Sequence, residues 1–455
     1  MISLVVLAML ECSAAVETSV IETSEPVWDV AVEDLNLDGS GDIVALCCDS
    51  EATPLKKNVA VYMMNGEDGG YSSEPSFVLP LDPSISSLFW AETNGKTPRE
   101  LVTTNALGAE IYAYREGKLE KVQTTEFLSL LPSGAKEPRF LREIPKDLDG
   151  DGIDEWLIPA NGGYIVRNAD AQHAFVTCDV VSEIREEGSL QIRHKLPAYQ
   201  VFSLENQAPK GIVFLSNELA DFAHGDNWTE HQRYKVPSNT DEKWDTSAQM
   251  QDIDGNGLPD LVVTQSKGTV NVTVMSRVYV ASAPFTYPDE PSAVFHADGA
   301  IAAPFLIDVD GDEKLDVMFI KVPFGLKTLV NLFLRKKVAV EVDVFLFNGS
   351  AYNAKPDFST SITLDAPEQR ELPVYIMADF NGDGRVDVMF GSGNSEVAIH
   401  TGETNRFISN KPWVTLPFIP FGQARPYDLN DNKAKDVVLF HPGGKDAKKI
   451  EVAVF

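Results

Sequence analysis

Five short segments of the chain place acidic and amide side chains at alternate positions and end with an acid at position 9. One of them reads Asp379-Phe-Asn-Gly-Asp-Gly-Arg-Val-Asp387. A calcium ion takes six to eight oxygen ligands, which side chains at positions 1, 3, 5 and 9 and a backbone carbonyl at position 7 can supply. The pattern therefore predicts metal ligands at Asp34, Asn36, Asp38, Asp42, Asp147, Asp149, Asp151, Glu155, Asp252, Asp254, Asn256, Asp260, Asp308, Asp310, Asp312, Asp316, Asp379, Asn381, Asp383 and Asp387.

Charge supports this interpretation, because seventeen of those twenty side chains are carboxylates. Crowded carboxylates raise the free energy of a loop unless a cation compensates them. We expect about four or five bound Ca²⁺ ions. Glu313 replaces the turn glycine of the loop at 308–316, which should be weaker or strained. A sixth segment, 428–436, keeps the spacing but carries Lys433 in the turn, and we expect it to hold no metal.

Two other interpretations compete with calcium loops between strands. An EF-hand needs a Glu at position 12 and flanking helices. Position 12 is instead Ala45, Ile158, Val263, Phe319 and Phe390, each within an apolar run typical of a strand. Acidic Asx-turns without metal are the second alternative. Five loops in one frame favour metal binding over that alternative.

The spacing of the loops predicts the fold. The loops begin at residues 34, 147, 252, 308, 379 and 428, and the first two intervals are about twice the others. Each long interval should contain an eroded unit, at 92–100 and at 203–211. A period of about 50 residues with four short strands is typical of a propeller blade. We predict an all-β fold, a single β-propeller domain over 16–455 with seven or eight four-stranded blades, eight being favoured.

The two ends of the chain complement each other. The last unit lacks one strand, and residues 18–23 could supply it and close the ring. The longer interval after residue 308 predicts an extended hairpin near 324–340.

The first residues are typical of a secretory signal. Residues 2–10 are almost entirely apolar and precede Ser13-Ala14-Ala15, so we predict a signal peptide over 1–15. The protein is then secreted, periplasmic or on the cell surface. Nothing else is long and apolar enough to suggest a transmembrane segment. Cys47, Cys48 and Cys178 remain, and a disulfide to Cys178 is left open.

The net charge limits the classes of partner that the protein can bind. The chain carries 68 acidic and 38 basic residues, a formal charge of −30. Such a surface repels nucleic acid and anionic membranes, so we expect neither as a partner.

The segment Pro373-Val-Tyr-Ile-Met-Ala-Asp-Phe-Asn-Gly-Asp-Gly-Arg-Val-Asp-Val-Met-Phe390 resembles the consensus of FG-GAP/VCBS repeat proteins. The resemblance extends over about 27–455. It implies an integrin-α-like calcium-binding β-propeller in an extracellular setting. The Phe-Gly and Gly-Ala-Pro signatures of the integrin type are nearly absent, so integrin-like ligand recognition is not implied.

Catalytic motifs are not evident in the sequence. There is no His-Glu-x-x-His and no Gly-x-Ser-x-Gly pattern. His224 and His231 flank a polar loop, and Trp228 and Trp244 are candidates for an exposed platform.

We therefore expect a monomeric, non-catalytic binding or scaffold module for a protein or glycan ligand. The alternative is a polysaccharide lyase or hydrolase. It would need basic residues on the ring axis, for which 335–337 and 445–449 are candidates.

Overall fold

The computed structural model describes residues 16–65, 70–186, 190–204, 207–238, 244–268, 272–300, 303–322, 337–365, 373–393 and 395–455. The predicted signal peptide, 1–15, lies outside the described residues. Within these ranges the structure is almost entirely β, with one turn of 3-10 helix at Asp226–Trp228. No helix in this part of the chain has the length and hydropathy needed to cross a membrane.

Eight sheets follow one another along the chain and form the blades of a propeller. We call them blades 1 to 8, and their strands A to D in the order of pairing. The first four blades are Val27–Glu33, Asp42–Asp49, Lys56–Tyr62 and Phe77–Leu81; Ser87–Ala91, Glu100–Asn105, Gly108–Arg115 and Lys118–Glu126; Pro145–Lys146, Glu155–Ala160, Gly163–Arg167 and Gln172–Thr177; and Ala198–Leu204, Gln207–Leu215, Leu219–His224 and Glu230–Lys235.

The second half of the ring repeats this order. Its blades are Asp245–Gln251, Asp260–Lys267, Thr273–Tyr279 and Ala293–Asp298; Phe305–Ile307, Asp316–Lys321, Lys337–Phe345 and Phe358–Asp365; Tyr375–Ala378, Asp387–Ser392, Glu396–His400 and Val414–Leu416; and Gln423–Tyr427, Asp436–Phe440, Lys449–Val454 and Glu17–Glu22. The prediction of eight units, two of them eroded, is confirmed.

Three short elements lie outside this scheme. Arg139–Phe140 adds a fifth strand to blade 2, parallel to its strand A. Val181–Glu186 pairs with Leu190–Lys195 as a separate hairpin between blades 3 and 4. Gly402–Glu403 pairs with Arg406–Ile408 within blade 7.

The core lies between adjacent blades, so strand B is apolar on both faces. In blade 1 the strand Asp42–Asp49 is buried along nearly its whole length. Trp156 of blade 3 packs edge-on against Phe89 of blade 2, with ring centroids 5.3 Å apart. Cys47 and Cys48 are buried free thiols and Cys178 is also free.

Ring closure follows the prediction closely. Glu17–Glu22 pairs antiparallel with Lys449–Val454, from Glu17 opposite Val454 to Glu22 opposite Lys449. The strand therefore begins one residue before the predicted 18–23. Ile21 is fully buried by this pairing, so the first residues of the domain complete the last blade.

One expectation about the loops differs from the structure, and a second lies mostly outside the described residues. Blade 4 has no nine-residue loop at 203–211, because strand B already begins at Gln207. Leu204 at the end of strand A pairs directly with Gln207 at the start of strand B, so the two strands form a short hairpin. The hairpin expected near 324–340 lies mostly outside the described residues, and Lys337–Phe345 is strand C of blade 6.

Candidate metal loops on one face of the ring

The acidic loops join strand A to strand B in seven blades and therefore lie on one face of the ring. Strand B begins at the position-9 acid in each case, at Asp42, Glu100, Glu155, Asp260, Asp316, Asp387 and Asp436. This shared register places the loops at equivalent points around the ring.

In five of the seven loops the position-9 carboxylate is buried and accepts two backbone hydrogen bonds. In blade 6, Asp316 Oδ2 accepts from the Val309 amide at 2.9 Å and Oδ1 from the Phe347 amide at 2.8 Å. The same pair of contacts is made by Asp42, Asp260, Asp387 and Asp436. The acid thus ties its loop to the segment that follows strand C. The sequence pattern identified four of these five acids as ligands, all except Asp436, but did not reveal this second role.

Burial perturbs these acids. It raises the pKa of Asp42 and Asp387 to about 6, and that of Asp260 and Asp316 to about 7. Desolvation outweighs the amide donors, which act in the opposite direction, and the other acids of each loop raise the pKa further. A divalent cation beside them would favour the ionised form.

Position 1 organises the turn. Asp379 Oδ1 accepts from the amides of Gly382 and Asp383 at 2.7 and 3.1 Å, and Oδ2 accepts from the Gly384 amide at 2.7 Å. At position 5, Asp383 Oδ1 accepts from the Arg385 amide at 2.9 Å. Hydrogen bonds of this kind are expected for an Asx-turn with or without a metal.

Three of the predicted ligand sets converge. Single oxygens at positions 1, 3 and 9 lie within 4.8 Å of one another in the groups Asp147, Asp149 and Glu155; Asp252, Asp254 and Asp260; and Asp308, Asp310 and Asp316. The position-5 acids Asp151 and Asp312 are not part of these groups. The structure thus brings together three of the four side chains predicted for each of these loops.

The loops of blades 1 and 7 carry an amide at position 3. Asn36 Nδ2 donates to Asp38 Oδ2 at 2.8 Å, and Asn381 Nδ2 donates to Asp383 Oδ2 at 3.1 Å. Positions 3 and 5 are therefore in contact in both loops.

One atom in the blade 6 loop has no partner. Asp310 Oδ1 is buried and accepts no hydrogen bond from any described residue. An unsatisfied buried carboxylate oxygen is costly, and a cation can satisfy it. The donor set is made of hard oxygens, which fits calcium.

The turn residues of two loops adopt a backbone conformation that favours glycine. Glu313 has φ 66° and Lys433 has φ 75°, where Gly384 of the blade 7 loop has φ 86°. The strain expected at Glu313 is therefore present. In the loop at 428–436 the side-chain amides of Asn430 and Asn432 donate to the Phe455 carbonyl. That this loop holds no metal stays a prediction.

The eroded loop of blade 2 keeps the framework. Glu100 stands at position 9 and accepts from the Thr93 amide at 3.2 Å. Its other oxygen accepts from the side-chain amide of Asn94. Protein donors thus contact both oxygens of the position-9 carboxylate.

The remaining candidate residues do not converge on one site. His231 Nδ1 lies 3.0 Å from Asp221 Oδ1, and His224 stacks on Phe285. The expectation that Trp228 is exposed is wrong. It is 5% exposed, and its indole N–H donates to the Lys210 carbonyl.

Trp244 and the basic segments have local partners. Lys267 Nζ lies 4.4 Å from the centroid of the Trp244 ring. Within 445–449, Lys449 pairs with Asp446 and Lys448 donates to the Ser24 carbonyl. Residues 335 and 336 lie outside the described residues.

Comparison with known protein families identifies one repeat in the chain. The model of the FG-GAP-like repeat family matches residues 252–319. This segment runs from the acidic loop of blade 5 into strand B of blade 6. No curated protein is significantly similar to the chain.

Similar solved structures have low sequence identity to the chain. The Dos1 propeller is 10% identical, with a TM-score of 0.43, and the match covers 95% of this chain and 93% of that chain. BBS1N in complex with ARL6DN is 8% identical, with a TM-score of 0.37, covering 96% and 95%. The Photorhabdus luminescens Tc holotoxin pore is 15% identical, with a TM-score of 0.27, covering 82% and 17%.

The family match at 252–319 falls on blades 5 and 6 of a ring in which a four-stranded sheet recurs eight times. The chain is a β-propeller of eight blades that contains an FG-GAP-like repeat at residues 252–319.

Proposed function

We propose that the protein is a secreted, calcium-binding β-propeller that serves as a non-catalytic binding or scaffold module for a protein or glycan ligand. The observation that supports calcium most strongly is the loop of blade 6. There three carboxylates approach within 4.8 Å and one buried oxygen, Asp310 Oδ1, has no donor. A cation would supply the missing partner.

Calcium would act on the rigidity of the loop face. Positions 1 and 3 lie in the loop, and position 9 begins strand B and is tied to the segment after strand C. An ion held by all three would therefore join three parts of one blade. Rigid loops presented on one face are a common basis for recognition, since less conformational entropy is lost on binding.

Secretion is consistent with this role. Extracellular calcium modules bind with dissociation constants of about 10⁻⁴ to 10⁻³ M, which suits calcium concentrations outside the cell. The N-terminal signal predicted from residues 1–15 would direct the chain there.

Native mass spectrometry tests the calcium sites. The mature protein in calcium should carry about four or five ions, and chelator should remove them. Asp308→Ala should lose one ion, because it removes the position-1 ligand of blade 6. Asp428→Ala is the matched control at position 1 of the loop predicted empty, and should lose none. A wild-type protein that binds no ions above background would contradict the proposal.

The binding role has its own test. The calcium-loaded protein should bind one class of glycan on an array, or one purified extracellular protein, without altering it. Acidic polysaccharides incubated with the protein should show neither new reducing ends nor ultraviolet absorbance from unsaturated sugars. Turnover of any of them would instead support the lyase or hydrolase alternative.

A further inference from the structure

Backbone hydrogen bonds connect the acidic loops of consecutive blades. The amide at position 8 of one loop donates to a carbonyl at position 1 or 2 of the loop before it. Four of these bonds form a continuous series: Leu315 to Ile253 at 2.9 Å, Val386 to Val309 at 3.1 Å, Lys435 to Asp379 at 2.7 Å and Gly41 to Leu429 at 2.7 Å.

These bonds join the buried carboxylates into one path. Val309 donates its amide to Asp316, and its carbonyl accepts from Val386, the residue next to Asp387. Repetition of this arrangement connects Asp260, Asp316, Asp387, Asp436 and Asp42. The path runs through blades 5, 6, 7, 8 and 1, and so crosses the point where the ring closes. We call it the loop relay.

The loop relay has a defined beginning. Position 8 of the blade 5 loop is Pro259, which has no amide hydrogen to donate. The preceding blade 4 has a short hairpin in place of an acidic loop. A donor is therefore missing at the point of the ring where there is no acidic loop to accept it.

The loop of blade 3 makes the same kind of bond to the loop of blade 2, but no backbone hydrogen bond among the described residues joins these two loops to the relay. Asp154 donates its amide to the Glu92 carbonyl, and Lys210 donates to the Leu148 carbonyl, both at 2.8 Å. Between blades 1 and 2, Arg99 reaches the carboxylate of Glu33 with its guanidinium group. Among the described residues, the blade 3 loop thus belongs to a separate, shorter set of contacts.

The loops of the relay also touch sterically. A Cβ atom placed on Gly311 would lie 2.3 Å from the carbonyl oxygen of Gly384 in the next loop. A change in the backbone of one loop must therefore displace its neighbour.

We propose that the loop relay couples calcium binding in the loops of blades 5, 6, 7 and 1, with the metal-free loop of blade 8 as a structural link. The proposal rests on the calcium sites proposed above and adds how they are regulated. An ion that orders one loop fixes the peptide groups that contact the next, so the next ion meets a smaller ordering cost. The blade 3 loop binds independently.

Hydrogen exchange measured by mass spectrometry during a calcium titration tests this coupling. In the wild type, amides of the four calcium loops of the relay, in blades 5, 6, 7 and 1, should become protected at a common midpoint. Lys435→Pro removes one donor and copies the natural Pro259 at position 8. It should separate the midpoint of the blade 1 loop from those of blades 5, 6 and 7 by about fivefold or more, the usual range of site coupling. Lys435→Ala keeps the amide and should leave the midpoints together.

A second variant covers the case in which Lys435→Pro does not fold. Asp308→Ala removes a ligand in blade 6 and should shift the midpoints of blades 5 and 7 about fivefold or more, leaving blade 3 unchanged. Unchanged midpoints in both neighbours would overturn the coupling while leaving the calcium sites intact. If calcium protects no loop, the calcium proposal fails, and the coupling fails with it.

Discussion

Arg425 in blade 8 donates a hydrogen bond of 2.9 Å to the carboxylate of Asp29 in blade 1. The same carboxylate accepts from the Phe140 amide at 2.9 Å, in the fifth strand of blade 2, and from Arg142 at 3.1 Å, just after that strand. Asp29 is 3% exposed. One buried side chain therefore holds together the parts of the ring where the chain begins and ends.

Removal of this carboxylate should be strongly destabilising. Asp29→Ala leaves two guanidinium groups without their anionic partner, and we expect a loss of about 3 to 5 kcal/mol in the free energy of unfolding. Equilibrium urea unfolding measures it. Glu120→Ala breaks the exposed pair with Lys118 and should cost less than about 1 kcal/mol. Equal effects in the two variants would show that Asp29 does not hold the closure.

The closing strand offers a matched pair of neighbours. Ile21 is fully buried and Val20 is 54% exposed in the same strand. Ile21→Ala should lower the free energy of unfolding by about 2 to 5 kcal/mol because it leaves a cavity. Val20→Ala should change it by less than about 0.5 kcal/mol. A small effect of Ile21→Ala in thermal or urea unfolding would mean that the strand contributes little to the ring.

Substitutions at position 6 of the turn should have opposite effects on stability in two of the loops. Glu313→Gly should stabilise blade 6 by about 1 kcal/mol, since glycine adopts φ 66° without strain. Gly384→Ala at φ 86° should destabilise blade 7 by about as much, although its Cβ would meet open space. Differential scanning calorimetry of both variants in calcium-free buffer gives the comparison. Shifts of the same sign would refute the account of the turn.

The buried acids predict an unusual pH dependence without metal. The pKa of Asp260 and Asp316 is about 7 in the folded protein, against about 3.9 in an unfolded chain. The folded state therefore binds more protons between these values, and stability should rise as the pH falls from about 8 to about 5.

Calcium provides the control for this dependence. With calcium bound the carboxylates stay ionised, so the gain on acidification should disappear or reverse. Melting temperatures are compared at matched pH values with and without calcium. The comparison separates the contribution of these buried acids to the pH dependence from the general effect of a net charge of −30. A metal-free protein that loses stability on mild acidification would contradict the assignment.

The sequence predicted the repeated features, which are the acidic loops and the strands that follow them. It predicted few of the contacts that form between neighbouring blades. The sequence of each acidic loop determines its turn and marks the start of strand B. Six blades could therefore be predicted from the loops that begin at Asp34, Asp147, Asp252, Asp308, Asp379 and Asp428. The short hairpin of blade 4 could not be foreseen, because the segment 203–211 lacks the spaced carboxylates of the other loops. Trp228 lies in a polar stretch, yet it is buried in a cluster with Leu148 and Leu157 of blade 3, more than 70 residues earlier in the chain. The relay and the second role of Asp316 depend on amides in other strands and other blades.

The most direct test of the calcium loops is a thermal melt of the mature protein in excess EGTA and then in millimolar Ca²⁺. A single site at about a hundred times its dissociation constant adds about 2.7 kcal/mol to folding. Several sites should therefore raise the melting temperature by many degrees, and Mg²⁺ should do much less because it demands a smaller, octahedral site. An unchanged melting temperature would mean that the loops are acidic turns without metal, and would contradict the central claim.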